Sequence, residues 1–319
     1  MKALNVSKIF NEFLSETNQI KRIILFTGIA LVIAAASFGG YYYWDRYVHL
    51  GDQSPVEKSI RELEEAVRQH PDQVDLRLAL AESYMVDKRF DDAIEQASQV
   101  LTAYPDNERA MFVAGVAYAN QQNWQEAIGP LEVFAAARSQ LSTAGLDRSL
   151  ETALYFLGQS YIETNRCEEA IQPLTQAVQI NTTDADAFYL LGVAYAETDQ
   201  HDKAVTSYAE AVRFVPNYAE AYQGLVTSYT ALGKADEAAY ARGMVAFSIT
   251  DYETARLELE KASQGLPNFA PAFIGLGLTY EELGDLQSAQ AALERALEID
   301  PDNFTASQAL GRVKAKMQN

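Results

Sequence analysis

Residue types that catalyse reactions or bind metals are few in this sequence, and they lie far apart. The three histidines, His49, His70 and His201, are too widely separated to form a recognisable metal motif, and we expect His70 and His201 at the surface. The Gly-Leu-Gly run at 275–277 resembles a fragment of a nucleotide loop, but it falls inside a predicted helix, where small residues serve packing. Neither a GxxxxGK(S/T) phosphate loop nor a GxSxG nucleophile motif occurs. We therefore predict that the protein is not an enzyme and has no catalytic residue, metal or cofactor.

The charge balance excludes further classes of partner. Acidic residues outnumber basic ones by 44 to 25, which gives a formal net charge of −19 at pH 7. Such a chain repels a phosphate backbone, so we do not expect nucleic-acid binding. The same charge disfavours a position in which the body of the protein lies flat on anionic lipid. No two carboxylates can be singled out as an acid–base couple, and we interpret most of them as solvated helix faces that keep the protein soluble.

Cys167 is the only cysteine, so no disulfide can form within the chain and stability must come from packing. A lone thiol either bridges two chains or is a small buried residue, and we favour the buried residue.

One strongly apolar segment, residues 23–44, contains no charged side chain. A helix of this length crosses a hydrocarbon core of about 30 Å. Nine of its residues are Leu, Ile, Val or Phe, and together they favour insertion by about 4 kcal/mol. Three tyrosines and Trp44 end the segment, as aromatic rings do at a membrane boundary. We predict a transmembrane helix at 23–44, an N-terminal segment at 1–22 and a linker at 45–54.

The basic residues around this segment predict its orientation. Four Lys or Arg precede the span and only Arg46 and Lys58 follow it closely, so we expect the N-terminus in the cytoplasm and the remainder outside it, on the periplasmic side of the cell membrane. A cleaved signal peptide is the alternative, because Ala34–Ala36 offers a cleavage site. Small residues at Ala35 and Gly39 leave association of two such helices open.

The rest of the chain carries an internal repeat marked by tyrosines. Successive tyrosines are 34, 43, 34, 34 and 51 residues apart, at Tyr84, Tyr118, Tyr161, Tyr195, Tyr229 and Tyr280. Nine residues after each tyrosine comes an alanine, at Ala93, Ala127, Ala170, Ala204, Ala238 and Ala289. A small residue stands three residues before most of them, at Ala81, Gly115, Gly158, Gly192 and Gly277.

Such a unit is a pair of antiparallel helices. The first helix needs a small residue where the second helix crosses it closely and a large ring beside the crossing, and the second helix needs an alanine at the same contact. Prolines after the second helices, such as Pro105 and Pro301, end each unit. Because no unit can bury both of its faces alone, the units must stack.

The pattern closely resembles the tetratricopeptide repeat over about residues 55–319. The family's period, small residue, Tyr, Ala and Pro all match, whereas its early Trp is replaced by Arg77, Met111, Leu154, Phe188, Tyr222 and Phe273. The resemblance implies an all-α fold, in which the transmembrane helix precedes an α-solenoid, a right-handed superhelix of helix pairs.

Two of the spacings exceed 34 residues. The step of 43 predicts an insertion at 140–150. The step of 51 adds half a repeat, because residues 235–249 read both as a second helix through Ala238 and as a first helix for 252–264 through Gly243. We predict that the superhelix changes direction there, with a slightly irregular repeat as the alternative. The predicted units are an N-terminal helix at 55–70, repeats at 74–107, 108–139, 151–184, 185–218, 219–268 (with the extra helix) and 270–303, and a capping helix at 304–319.

The resemblance also implies a binding surface, because the first helices of this family line a concave groove. Carried onto this sequence, the inner positions predict a partner-binding stripe of Phe112, Val116, Tyr155, Gln159, Ile162, Tyr189 and Val193. The alternative is that curvature buries much of it between units. Acidic residues at its rim (Glu163, Asp186, Glu197 and Glu220) favour protein or peptide partners with apolar anchors and Lys or Arg. The Lys and Asn residues with which some members clamp acidic chaperone tails are absent apart from Asn120, so we do not expect that ligand.

These observations predict a single-pass membrane scaffold or adaptor whose extracytoplasmic groove binds partner proteins. By analogy of architecture alone, it is similar to the anchored repeat proteins that assist translocons, cytochrome maturation or envelope complex assembly. The alternative is a structural subunit that associates with itself as an oligomer or filament.

Overall fold

The computed structural model describes residues 37–38 and 54–318, and the chain divides into two compact units, residues 1–66 and 67–319. In the described ranges, no helix is both long enough and apolar enough to span a bilayer. The predicted segment 1–22, the predicted span 23–44 apart from residues 37 and 38, and the linker as far as residue 53 lie outside these ranges. The transmembrane helix therefore stays a prediction.

Fifteen α-helices joined by short turns make up residues 54–318, with no β-strand in that range. The predicted all-α class is confirmed for this part of the chain. The helices are α1 (Pro55–Gln69), α2 (Val74–Val86), α3 (Phe90–Ala103), α4 (Glu108–Asn120), α5 (Trp124–Ser139), α6 (Arg148–Glu163), α7 (Cys167–Ile180), α8 (Ala185–Glu197), α9 (His201–Phe214), α10 (Ala219–Ala231), α11 (Ala235–Ser248), α12 (Tyr252–Gly265), α13 (Ala270–Leu283), α14 (Leu286–Ile299) and α15 (Phe304–Met317).

The same tight turn joins the two helices of each pair. One residue in every such turn has a left-handed backbone, at Lys88, Gln122, Asn165, Asp199, Gly233, Thr250 and Gly284. This conformation ends the first helix, because it turns the next amides back onto the last carbonyls of that helix. The step from Gly233 to Thr250 is half a repeat, so the turn occurs on both sides of α11.

Helix α11 accommodates the additional half repeat because it is the second helix of one pair and the first helix of the next. It packs on α10 in the place of a second helix, with Ala238 buried. It also packs on α12 as a first helix does, because a Cβ added at Gly243 would lie 2.5 Å from Leu259, much as one added at Gly115 would lie 2.6 Å from Leu131. Its buried residues accordingly surround the helix: Ala238, Ala239, Tyr240, Ala241, Gly243, Met244 and Ala246. The predicted handedness of the superhelix and its change of direction stay predictions.

The core runs without interruption from α4 to α14. Two clusters of buried residues, one spanning α4–α8 and the other α9–α14, share the half-buried rings of Phe188, Tyr189 and Tyr195. Tyr208 takes the place that leucine has in α5, α7, α12 and α14, and its ring lies against two glycines, Gly192 on α8 and Gly224 on α10. Since each repeat packs on the next, the first helices are held side by side.

Three local features differ from the sequence-based expectations. The connection before α6 spans 140–147 rather than 140–150, because the Asp147 carboxylate accepts hydrogen bonds from the Ser149 and Leu150 amides and starts the helix at Arg148. His201 is the first residue of α9 and its side chain is only 19% exposed, so the expectation of a surface residue is wrong for it. Cys167 is half-buried rather than buried, and burial, together with the charge of Glu197, raises the pKa of its thiol.

Candidate protein-binding surface

The predicted stripe lies on three consecutive first helices, α4, α6 and α8, each of which contacts the next. Six of its members are half-buried, whereas Val116 is buried, with 7% of its surface exposed. Val116 therefore supports the surface from beneath and offers little contact area to a partner. Four of the partly buried side chains pack against one core cluster: Phe112, Tyr155, Ile162 and Tyr189. Val193 packs against the next cluster, together with Tyr189.

Ring contacts fix the side chains of this surface. The ring of Phe112 lies 5.0 Å from that of Phe134, and the ring of Tyr155 lies 5.2 Å from that of Phe156. Tyr189 lies between two further tyrosines, with ring centroids 5.9 Å from Tyr208 and 5.2 Å from Tyr218. Aromatic groups held in this way present a rigid face, so a partner would lose little side-chain entropy of the surface on binding.

Tyr218 belongs to this surface although the sequence analysis did not identify it. Its hydroxyl donates a hydrogen bond of 2.7 Å to the Asp186 carboxylate on α8. It occupies the residue before α10, where the corresponding residues before α4 and α8 are Asn107 and Asp184, whose side chains cap the helices. A large ring at a capping position is the signal that could have pointed to it.

Within the described residues, the carboxylates around the stripe have no basic partner. Among residues 54–318, Glu163, Asp186, Glu197 and Glu220 form no ion pair with Lys or Arg. By contrast, carboxylates on the first helices α2 and α13 do have basic partners. Arg109 on α4 pairs with Glu82 on α2 at 2.5 Å, and on α13 the buried Glu281 pairs with Arg312 and Lys316 of α15. The negative charge of these four carboxylates beside the stripe is therefore not compensated by an ion pair.

The pKa directions agree with a negative surface. Burial, with the charges of Asp186, Asp184 and Glu151, raises the pKa of Tyr155 to about 12. Burial and the nearby Asp184 carboxyl raise the pKa of Glu151 to about 7. Burial and the charges of Glu220 and Glu163 also raise the pKa of Tyr189. The tyrosines thus stay neutral at physiological pH, and the field around them favours cations.

A second depression lies on a different face of α6, between α5 and α7. Its volume is about 520 Å³, and its walls include Leu154, Leu157 and Gln176. Tyr161 donates a hydrogen bond to Glu132 across it. No group of three or more His, Cys, Asp or Glu side chains in the described ranges is arranged to hold a metal ion.

The apolar stripe on the first helices and the carboxylates beside it are suited to binding a polypeptide with basic and apolar side chains.

Comparison with known protein families identifies the repeats. Family models described as tetratricopeptide repeat match residues 49–108, 78–142, 185–218 and 270–303, and a model described as TPR repeat matches residues 158–199. Together the matches cover more than half of the 319 residues. No protein of curated function is matched by this sequence.

Several solved structures are similar to this chain. One of them, described as MamA protein, is 24% identical over 60% of this chain and 94% of its own, with a TM-score of 0.44. YrrB, described as a TPR protein with an unusual peptide-binding site, is 17% identical over 78% of this chain and 98% of its own, with a TM-score of 0.43. A tetratricopeptide repeat protein from Parabacteroides merdae is 14% identical over 86% of this chain and 95% of its own, with a TM-score of 0.44.

Proposed function

This chain belongs to the tetratricopeptide repeat superfamily, and on that premise we propose that it is a membrane-anchored scaffold that binds other proteins through the first-helix surface of α4, α6 and α8. Proteins of this superfamily generally mediate protein–protein interaction. The observation that carries the proposal is the row of half-buried apolar and aromatic side chains on three adjacent first helices, bordered by unpaired carboxylates. Such a row gives a partner both apolar contact area and a preferred charge.

The anchor is the second part of the proposal. Its support is the uncharged run at 23–44, with Lys21 and Arg22 before it and aromatic residues at its end. In that arrangement the repeats lie on the periplasmic side, where the protein would help to assemble envelope complexes. Alkaline extraction of membranes that contain the full-length chain tests the anchor: an anchored chain stays in the pellet, and a chain released to the supernatant contradicts it.

Binding is tested by matched substitutions on the two faces of one repeat. Gln159→Arg places a cation and extra bulk in the middle of the stripe on α6, whereas Gln172→Arg makes the same change on the exposed face of α7. Both positions tolerate a longer side chain because neither is buried. The two variants should therefore unfold at the same temperature as the wild-type chain.

Crosslinking in intact membranes followed by mass spectrometry measures the outcome. We expect the wild-type chain and Gln172→Arg to crosslink to the same partner proteins, and Gln159→Arg to lose them. Equal recovery of partners with both variants would contradict binding at the first-helix surface.

A further inference from the structure

We propose that Tyr155, Tyr189, Tyr218 and Asp186 form a subsite for the guanidinium group of an arginine in the partner segment. We call these four residues the aromatic–acidic corner. This inference rests on the proposed function and specifies the chemistry of the partner. It adds Tyr218 and Asp186, which stand beside the predicted stripe, as the residues that determine which partner is selected.

The corner joins α8 to the residue before α10, and Tyr155 of the preceding first helix, α6, lies within the field of the Asp186 carboxylate. Tyr155 lies in the second turn of α6, Asp186 and Tyr189 in the first turns of α8, and Tyr218 immediately before α10. The hydrogen bond from Tyr218 to Asp186 and the 5.2 Å ring contact between Tyr218 and Tyr189 join α8 to the start of α10. Asp186 is exposed and uses one carboxylate oxygen for Tyr218, so its other oxygen is directed to solvent or a ligand.

Three other tyrosines in the described part of the chain have a cation of this chain over their rings. Arg89 lies over the ring of Tyr84 at 4.3 Å, Arg166 over Tyr161 at 4.5 Å, and Lys203 over Tyr195 at 5.2 Å. In the part of the chain that the structure describes, no Lys or Arg lies over the three rings of the corner. The corner thus has the aromatic faces that attract cations without a cation from this chain.

The carboxylates around the corner also favour a cationic ligand. In the ranges that the structure describes, Asp186 lacks a basic partner, as do Glu163 and Glu220, the carboxylates whose fields reach the Tyr189 hydroxyl. These groups attract a cation in the encounter and repel an acidic segment. Asp184 caps α8 through its two amide hydrogen bonds and adds further negative charge at the same edge.

A guanidinium group fits this combination better than an ammonium group. Its planar face stacks on an aromatic ring while its edge donates to a carboxylate, so one side chain can satisfy the rings and Asp186 together. Lysine is a compact and strongly hydrated charge, and it makes the carboxylate contact or the ring contact less completely. We therefore expect an order of arginine, then lysine, then a neutral isostere.

Random-peptide display on the purified full-length chain in detergent provides the probe. We expect the enriched peptides to contain arginine beside apolar residues. A strongly enriched peptide is then resynthesised with its arginine replaced by lysine or by citrulline, which keeps the shape and removes the charge. The affinity for the wild-type chain should fall about tenfold or more with citrulline.

A double-mutant comparison assigns that loss to the corner. On Asp186→Asn combined with Tyr218→Phe, arginine and citrulline peptides should bind within about twofold of each other. On the control Glu168→Gln, which removes one exposed charge from α7, the full loss should persist. Enriched peptides without arginine or lysine, or an unchanged preference for arginine on the double variant, would overturn the subsite. No enriched peptide at all, together with unchanged crosslinking of Gln159→Arg in membranes, would instead overturn the proposed function.

Discussion

A single methyl group added at Gly277 tests how closely the paired helices approach each other. A Cβ at this position would lie 2.6 Å from Cγ and 2.8 Å from Cδ2 of Leu293, and 3.3 Å from the Ala289 carbonyl oxygen. Leu293 is fully buried, and Ala289 contributes backbone, so neither can move aside without disturbing α14. We expect the overpacking caused by Gly277→Ala to cost about 3 kcal/mol of folding stability, before the gain in helix propensity is counted.

Gly311 supplies the matched control, because it lies one repeat later, and a Cβ there meets no atom within 4 Å. Replacing glycine by alanine inside a helix gains about 1 kcal/mol in both variants through backbone propensity. Gly277→Ala should therefore be destabilised by about 2 kcal/mol and Gly311→Ala stabilised by about 1 kcal/mol. Their difference isolates the overpacking cost, since the propensity contribution is common to both.

Chemical denaturation followed by far-UV circular dichroism measures the free energy of unfolding of each variant. Because repeat arrays can unfold in parts, hydrogen exchange of the amides in α13, α14 and α15 is measured beside it. If Gly277→Ala proves as stable as Gly311→Ala, the close crossing of α13 and α14 is refuted.

Three further outcomes follow from the structure. Thr250 is β-branched with φ of 64°, so Thr250→Gly should stabilise the protein by about 1 kcal/mol, whereas Gly233→Thr at the preceding turn should destabilise it; denaturation midpoints check both. Hydrogen bonds from Arg312, and to a lesser degree from Lys316, lower the pKa of Glu281 below its usual value near 4.5. The contribution of this carboxylate to folding stability is therefore present above that pH and is lost as the pH falls. Hydrogen exchange should show α15 losing protection in acid, and Glu281→Gln should remove that pH dependence. The pKa of Glu151 is raised to about 7, so its negative charge appears as the pH rises through that value, and the affinity for an arginine-containing peptide should rise over the same range. Titration calorimetry at several pH values compares the wild-type chain with Glu151→Gln. Equal pH profiles of the two would contradict this prediction.

The periodic residues of the sequence predicted the helical architecture because they report on contacts that every repeat makes. A glycine three residues before a tyrosine predicts a close helix crossing, and Gly115 and Gly277 lie at such crossings. The half-repeat step could also be recognised, since Gly243 has the spacing of a first-helix glycine relative to Ala255.

Features that depend on one particular neighbour were less predictable. Val116 occupies an inner position of the repeat but is covered by its neighbours, and periodicity alone does not tell how much of such a residue stays exposed. Tyr218 was missed because its role depends on a hydrogen bond to Asp186, 32 residues away, rather than on its place in the repeat. His201 was expected at the surface, yet it begins α9 and its side chain is only 19% exposed.

The central claim, that the first-helix surface contacts other proteins, is tested most directly by site-specific photocrosslinking. A photoreactive phenylalanine analogue is introduced into the full-length chain at Val193 or Ile162 on the first helices, and at Thr206 or Gln172 on the second helices, all of them at least partly exposed. After irradiation of intact membranes, we predict adducts of defined mass from Val193 and Ile162 and none from Thr206 and Gln172. Adducts from the second helices alone, or equal adducts from both sets, would contradict the account.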